Sequence, residues 1–387
     1  MKTDIFEQAL EENLFELYYQ PKINLHTKKV ESAEALLRIK TKDGAVISAN
    51  EFIPFYEERG DIIDVDRWVF KKLVEDARTI SMMTHESINI SFNISSESFL
   101  QDDFVENLQD IFQFTPDFIS LFEIEVTEQF LMRDLQKALQ NMKKLKKIGF
   151  RLALDDFGVG YGSLAYLKDF PVDSINIDKV FVDDILKNDK TAKIVHSIIY
   201  LAKQLSLKTL AKGVEETKQV VWLHENSCDE IQGFYYSKAL PMGEFVKFVK
   251  AINQRKTSGD YIIWGSKYSI GNVGFDSQHM IIASILNNLY EELKNNGDVA
   301  DVSDYFNLLD RYITTHFKAE EQYMREIRYK DVDKHIKVHD EFRDIFKKFK
   351  SNLTTSNKDD SIKLFKILKE WFIKHELTYD KKFMKSL

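Results

Sequence analysis

Five histidines crowd the last third of this 387-residue chain, and their neighbours repeat at helical spacing. His279 leads Ile282, Leu286 and Leu289, and His316 and Glu320 continue the row Phe306, Leu309 and Ile313. His335 and His339 precede Phe342, Phe346 and Phe349, while His375 ends the row Leu364, Leu368 and Trp371. Steps of three and four place each histidine on the apolar stripe of an amphipathic helix. Any one of them reads as a satisfied core or boundary histidine. Five together, with Glu320 one turn after His316 and Asp380 five residues after His375, would bury many polar groups, and a bound metal is the natural compensation. Imidazole and carboxylate without thiolate suit iron, zinc or manganese. A zinc protease is disfavoured because His335-Ile-Lys-Val-His339 lacks the glutamate of H-E-x-x-H.

A second set of groups is acidic. Glu34, Asn93, Glu125, Asp155, Asp156 and Asp178 fall near the ends of β-rich runs in the first 250 residues. Converging on one mouth, so many oxygen ligands would hold hard divalent cations, and two such ions support phosphodiester chemistry. Singly, each also reads as a residue that ends a strand and caps the next helix. The run Asp155-Asp-Phe-Gly-Val-Gly-Tyr-Gly-Ser163 resembles a phosphate cradle, but glycines at alternate positions more often mark a mobile turn.

The elements that must position these groups differ between the two halves. Strands are expected at Leu17–Gln20, Glu31–Leu37, Asn89–Ile94, Leu121–Val126, Arg151–Asp155, Asp173–Ile177, Lys208–Ala211 and Glu230–Gly233, with crossover helices such as Asp134–Ile148 and Ala192–Leu205. Alternating strand and helix implies a parallel sheet. The repeat count fits an α/β, TIM-like (β/α)8 barrel over residues 1–253, an open doubly wound sheet being the alternative. Residues 254–261, spanning the polar run Arg255–Asp260, read as a linker. Residues 262–387 carry no proline and predict an all-α four-helix bundle: Asp276–Asn295, Val302–Ile327, Asp333–Ser351 and Asp360–Ser386. Hydrophobic residues at 44% and charged residues at 30% exclude wholesale disorder. A net charge of −8 argues against a broad DNA-binding surface. The single Cys228 excludes a disulfide framework and fits a cytoplasmic setting. No secretory signal or membrane span is expected.

From about Trp264 onward the chain resembles the bacterial hemerythrins, through Asp276-Ser-Gln-His279, His316-Phe-Lys-Ala-Glu320, His335-Ile-Lys-Val-His339 and Trp371-Phe-Ile-Lys-His375-Glu-Leu-Thr-Tyr-Asp380. The resemblance implies a non-haem di-iron centre with His335, His339 and His375 on one iron, His279 and His316 on the other, and Glu320 and Asp380 bridging. It also implies O2 binding at the position this set leaves open.

Residues 1–250 resemble the EAL-domain phosphodiesterases, which hydrolyse cyclic di-GMP with two Mg²⁺ or Mn²⁺ ions. The matching runs are Glu34-Ala-Leu-Leu-Arg38, Asn93-Ile-Ser95, Glu125-Val-Thr-Glu128, Asp155-Asp156-Phe-Gly and Gln232-Gly-Phe. The resemblance implies Glu34, Asn93, Glu125, Asp155 and Asp156 as metal ligands and Glu128 as the residue steadying the Asp155 loop. It further implies Gln20, Arg38, Glu215 and Gln232 as contacts to cyclic di-GMP, and a homodimer through this domain. Two positions depart from the family pattern. Asn176 stands where the family has a lysine, and Lys212 stands where Ala-Glu-Gly-Val-Glu would place a glutamate. The expectation is therefore an oxygen- or redox-responsive signalling protein. Its degenerate barrel would bind cyclic di-GMP or a protein partner, with Lys212 paired to Asp156 or Glu34 and without efficient hydrolysis. The alternatives are an active phosphodiesterase regulated by the di-iron domain and an O2 store with the barrel as scaffold.

Overall fold

The structure, a computed structural model, describes residues 2–10, 12, 14–112, 116–158, 167–253, 262, 267–294, 299–352 and 358–384. The predicted linker 254–261 and most of the glycine loop, 159–166, lie outside the described residues, apart from Asp155–Gly158. Two compact units are present: Met1–Val214 with Leu223–Val246, and Glu215–Trp222 with Lys247–Leu387.

The first unit is a closed barrel. Its strands are β1 (Phe15–Asn24), β2 (Val30–Lys40), β3 (Val46–Ser48), β4 (Asn89–Asn93), β5 (Phe122–Thr127), β6 (Arg151–Phe157), β7 (Ser174–Ile177), β8 (Lys208–Ala211), β9 (Glu230–Ile231) and β10 (Leu240–Pro241). The sheet order is β10-β1-β9-β8-β7-β6-β5-β4-β2-β3, and an additional β1–β2 pairing closes the ring, with β3 and β10 as flanking pieces. Within the ring, the expectation of an all-parallel sheet fails at one strand, and the flanking β3 also runs antiparallel to β2. β1 runs antiparallel to both neighbours, β2 and β9. The cause is local: β1 enters β2 through a tight turn, with no crossover helix to bring the chain back in parallel. The Asn24 Oδ1 accepts from the backbone N–H groups of His26 and Thr27 at 2.8 and 3.0 Å and builds that turn. β1 and β2 consequently extend well beyond the predicted runs, so Glu34 sits mid-strand rather than at a strand end.

The crossover helices form for readable reasons. In Leu135–Ile148 the Asp134 side chain caps the start by accepting from the Lys137 N–H, and Ala138, Met142 and Leu145 face inward. Gly149, at φ 113°, ends it in a left-handed conformation that favours glycine. Beneath, the Phe112 ring meets Phe122 and Phe150 edge-on at 4.8 and 5.0 Å.

Cys228 is fully buried, and burial pushes its thiol up to about 12. Because the thiolate is the reactive form, a disulfide reagent at pH 8 is expected to leave the native chain unmodified and to label it stoichiometrically in denaturant. Rapid labelling of the native chain would contradict the placement of this residue.

The long helices of the second unit are Val273–Lys294, Val299–Glu326, Val332–Asn352 and Lys358–His375. The first packs on the second and fourth, and the third packs on the same two. The fourth helix is not continuous to Ser386 as expected. It passes into a π-helical turn, Glu376–Asp380, and resumes as Lys381–Met384. No described helix is long and apolar enough to cross a membrane.

Candidate functional sites

In the bundle, His279, His316, His335, His339 and His375 meet in one buried cluster, none more than 3% exposed. The Nε2 atoms of His279 and His316 are 3.1 Å apart, and that of His375 lies 3.3 Å from His335 and 3.1 Å from His339. Two carboxylates lie among these two groups of rings. Glu320 reaches Nε2 of His339 at 3.4 Å, His316 at 3.5 Å, and His279, His335 and His375 at 3.9 Å each. Asp380 reaches His375 at 3.0 Å, His335 at 3.1 Å and His279 at 3.8 Å.

The π turn explains how Asp380 gets there. A regular α-helix sets residues five apart on different faces, whereas i→i+5 bonding brings Asp380 round beneath His375. Four oxygens, both of Glu320 and both of Asp380, are buried without a hydrogen-bond donor. Burial and the neighbouring Asp380 raise the Glu320 carboxyl to about 7, and burial lowers His279 to about 3, so that ring is a neutral donor. Burial likewise lowers His316 and His339; burial alone would also lower His375, but Asp380 and Glu320 raise it to about 9. Imidazole donors facing orphaned carboxylates fit a pair of metal ions. Glu320 with His335, His339 and His375 forms one candidate metal group, and His279 with Glu320 and Asp380 another.

Partners on the far ring nitrogens were not visible beforehand. Gln278 Oε1 lies 3.0 Å from His316 Nδ1, and Glu321 Oε1 lies 2.9 Å from His339 Nδ1 while also accepting from Arg343 at 2.9 Å. The Glu376 carboxylate stands 2.6 Å from His279 Nδ1. Aromatic rings cover the cluster: Phe317 stacks on His339 at 3.8 Å and Trp371 on His375 at 4.6 Å.

At the barrel mouth, the Lys212 ammonium sits among the acids. It donates to Glu125 at 2.7 Å and Asp155 at 2.8 Å, with Glu34 at 3.9 Å. The expected pairing with Glu34 is present at 3.9 Å, while the closer partners are Glu125 and Asp155 rather than Asp156. This placement follows from register, because Ala211, just before Lys212, is the last residue of β8 and pairs with Ile177 of β7. Lys22, from β1, joins from below, donating to Ser91 at 2.7 Å and to Glu125 at 3.0 Å. Burial alone would lower Lys212, but Glu125, Glu34 and Asp155 together hold its ammonium well above the ordinary range. Burial, and then the Glu125 charge, push the Asp155 carboxyl up to about 7.

Asn176 donates to Asp155 at 3.1 Å, Asn93 to Glu34 at 2.9 Å, and Gln232 to Glu34 at 2.7 Å and to Gln20 at 3.2 Å. Arg38 donates to the Leu37 carbonyl at 2.8 Å, and Glu215 is exposed on the segment after β8. Glu128 accepts from the Gly158 N–H at 3.2 Å. Asp178 caps the helix Lys179–Asp184 through the Val180 N–H at 2.7 Å, the structural role a strand-end acid can also have. Asp156 is held at φ 51°, a left-handed conformation costly for most residues but tolerated by aspartate.

The EAL domain model matches residues 3–239. The chain belongs to the EAL domain family. Its C-terminal region, residues 272–387, matches the hemerythrin HHE cation binding domain. The EAL domain is 37% identical over 248 residues to the signaling protein YkoW of Bacillus subtilis, covering 63% of this chain and 30% of YkoW. It is 32% identical over 244 residues to the cyclic di-GMP phosphodiesterase NbdA of Pseudomonas aeruginosa, covering 63% of this chain and 31% of NbdA. Among solved structures it resembles the PaMucR phosphodiesterase in complex with c-di-GMP, at 31% identity and a TM-score of 0.60, over 63% of this chain and 98% of that one. The chain thus spans about a third of the length of these two curated relatives. In this EAL domain, Asn176 and Lys212 both contact Asp155.

Proposed function

We propose that this chain is an oxygen- or redox-responsive cyclic di-GMP signalling protein. Its EAL domain binds the dinucleotide or a protein partner without efficient hydrolysis, and its hemerythrin domain holds a di-iron centre that binds O2. The observation that carries the first half is the Lys212 ammonium between Glu125 and Asp155. A divalent cation entering beside it meets a like charge, at about 4 kcal/mol for each unit-charge pair 4 Å apart at an effective dielectric near 20. The carboxylates that would hold Mg²⁺ or Mn²⁺ are already neutralised from within the chain. Gln20, Arg38 and Gln232 remain available to a cyclic dinucleotide, and the likeness to PaMucR supports that ligand class. A shared homodimer interface belongs to the same reading.

The second half rests on the five imidazoles and two orphaned carboxylates gathered in a dry pocket. Loaded with iron, such a centre supplies reversible O2 binding and electron transfer. His279, His316, His335, His339 and His375 would hold the metals, with Glu320 and Asp380 between them. Phe317 and Trp371, stacked on their rings, exclude water. Covalent fusion of the two domains supports a link between them.

Two measurements test this. With Mg²⁺ or Mn²⁺, the purified chain is expected to turn over cyclic di-GMP at no more than a trace rate while still binding it in a titration. The double variant Asn176→Lys/Lys212→Glu is expected to gain metal-dependent hydrolysis. Robust turnover by the unaltered chain would sink the reading in favour of a regulated phosphodiesterase. Equal dinucleotide affinity, partner binding and oligomeric state for the reduced, oxidised and oxygenated protein would sink the link and leave an O2 store.

A further inference from the structure

Glu376 stands out among the buried acids. It follows His375 directly, opens the π turn and is fully buried. Its carboxylate lies 2.6 Å from Nδ1 of His279, a residue on the first bundle helix, and neither oxygen finds a hydrogen-bond partner of good geometry among the described residues. Regular α-helical geometry would turn a residue next to His375 about a quarter-turn away from that ring's face. The change of pitch at Glu376 goes together with its inward placement.

The three partners on the ring nitrogens away from the cluster differ in charge. His316 faces the neutral amide of Gln278 at 3.0 Å. His339 faces Glu321, whose charge is shared with Arg343 at 2.9 Å. His279 faces the Glu376 carboxyl, which Lys381 influences only at a distance, and the ring's other nitrogen, Nε2, points at His316 Nε2 3.1 Å away. A carboxylate accepting from Nδ1–H fixes the tautomer, frees the Nε2 lone pair for a metal and strengthens it as a donor.

We propose that Glu376 is a positioning residue of the metal centre, holding His279 by its Nδ1 so that Nε2 faces the metal position it shares with His316. The proposal rests on the di-iron reading above. It gives the π turn two tasks, since one five-residue segment delivers Asp380 into the cluster and sets Glu376 behind a histidine of the opposite set.

The test compares the full chain with Glu376→Gln, Glu376→Leu and Glu376→Asp, reading iron content, the charge-transfer spectrum of the oxidised centre, its midpoint potential, and far-ultraviolet circular dichroism as a check of fold. Glu376→Gln keeps the shape and a carbonyl acceptor for Nδ1–H, and is expected to load iron with charge-transfer bands close to the parent's. Glu376→Leu, which removes the acceptor, is expected to weaken one of the two irons by roughly 10–100-fold, the usual cost of losing such a partner, and to shift the bands and the midpoint potential. Glu376→Asp, whose shorter side chain draws the acceptor back, is expected to fall between the two. If Glu376→Leu folds and keeps the parent's iron affinity, bands and potential, or if Glu376→Gln loses iron as fully as Glu376→Leu, the proposal is overturned. If the parent chain itself loads no pair of irons, the di-iron reading fails first and takes this proposal with it, a result read before any variant is made.

Discussion

Replacing Lys212 by methionine is expected to destabilise the barrel by about 3 kcal/mol, and Mn²⁺ is expected to return much of the loss. Removing one partner of a buried ion pair typically costs about 3–5 kcal/mol, because the other partner stays buried and uncompensated. Here the stranded groups are Glu125 and Asp155, whose side chains are 0% and 9% exposed. The lower end of the range applies because Lys22 still reaches Glu125 at 3.0 Å. With the tethered ammonium gone, the acids regain the charge and the room to accept a divalent ion. A ligand at a hundred times its Kd adds about 2.7 kcal/mol to the folded state. Urea midpoints with and without Mn²⁺, followed by the exposure of Cys228, separate barrel unfolding from that of the bundle. The parent chain should show little metal response. A variant whose lost stability ignores Mn²⁺ would mean that Lys212 is an ordinary structural lysine and not a cation in a metal's place.

In the bundle, the largest loss is expected from Glu320→Ala. Its carboxylate is within 4 Å of Nε2 on all five histidines, whereas Asp380 is that close to three. Truncating it removes the group common to both sets, and iron content is expected to fall below one per chain. Glu321→Gln, one residue along the same helix, is the natural control. Of the cluster's histidines it touches only the far side of His339, and it is expected to keep most of the iron at reduced affinity. Iron assays on freshly purified protein decide the matter. If Glu320→Ala retained a full pair, the carboxylate would not lie between the two positions.

The histidine cluster was readable from sequence because helical spacing is a strong signal and all five rings lie on apolar stripes. The eight strands were readable for the same kind of reason, though β3 and β10, three and two residues long, are too short to show alternation. The direction of β1 was not readable, since the clue is a turn built by one asparagine side chain rather than any pattern in the strand. Glu376 was hidden by a different cause. A residue adjacent to a ligand is normally on another face, and no propensity rule announces a π turn. Lys22 was missed because a lysine inside a barrel is unusual; its partners, Ser91 and Glu125, are far away in sequence and meet it only once the ring closes. Asp178 serves both readings at once: its side chain caps the helix Lys179–Asp184 and also bonds to Asp156 among the acids.

Lys212 has a consequence beyond the proposed loss of hydrolysis. A cation that is part of the polypeptide cannot be exchanged, diluted away or stripped by a chelator. The charge at the barrel mouth is therefore set at translation and stays the same whether the surroundings are rich or poor in magnesium and manganese. The bundle is the reverse case, with imidazoles and carboxylates that need charge brought to them from outside. On the proposed reading, one chain carries a permanent cation in one unit and an unfilled set of metal donors in the other, so its state would follow the supply of the metal the histidines take and not the supply of magnesium or manganese.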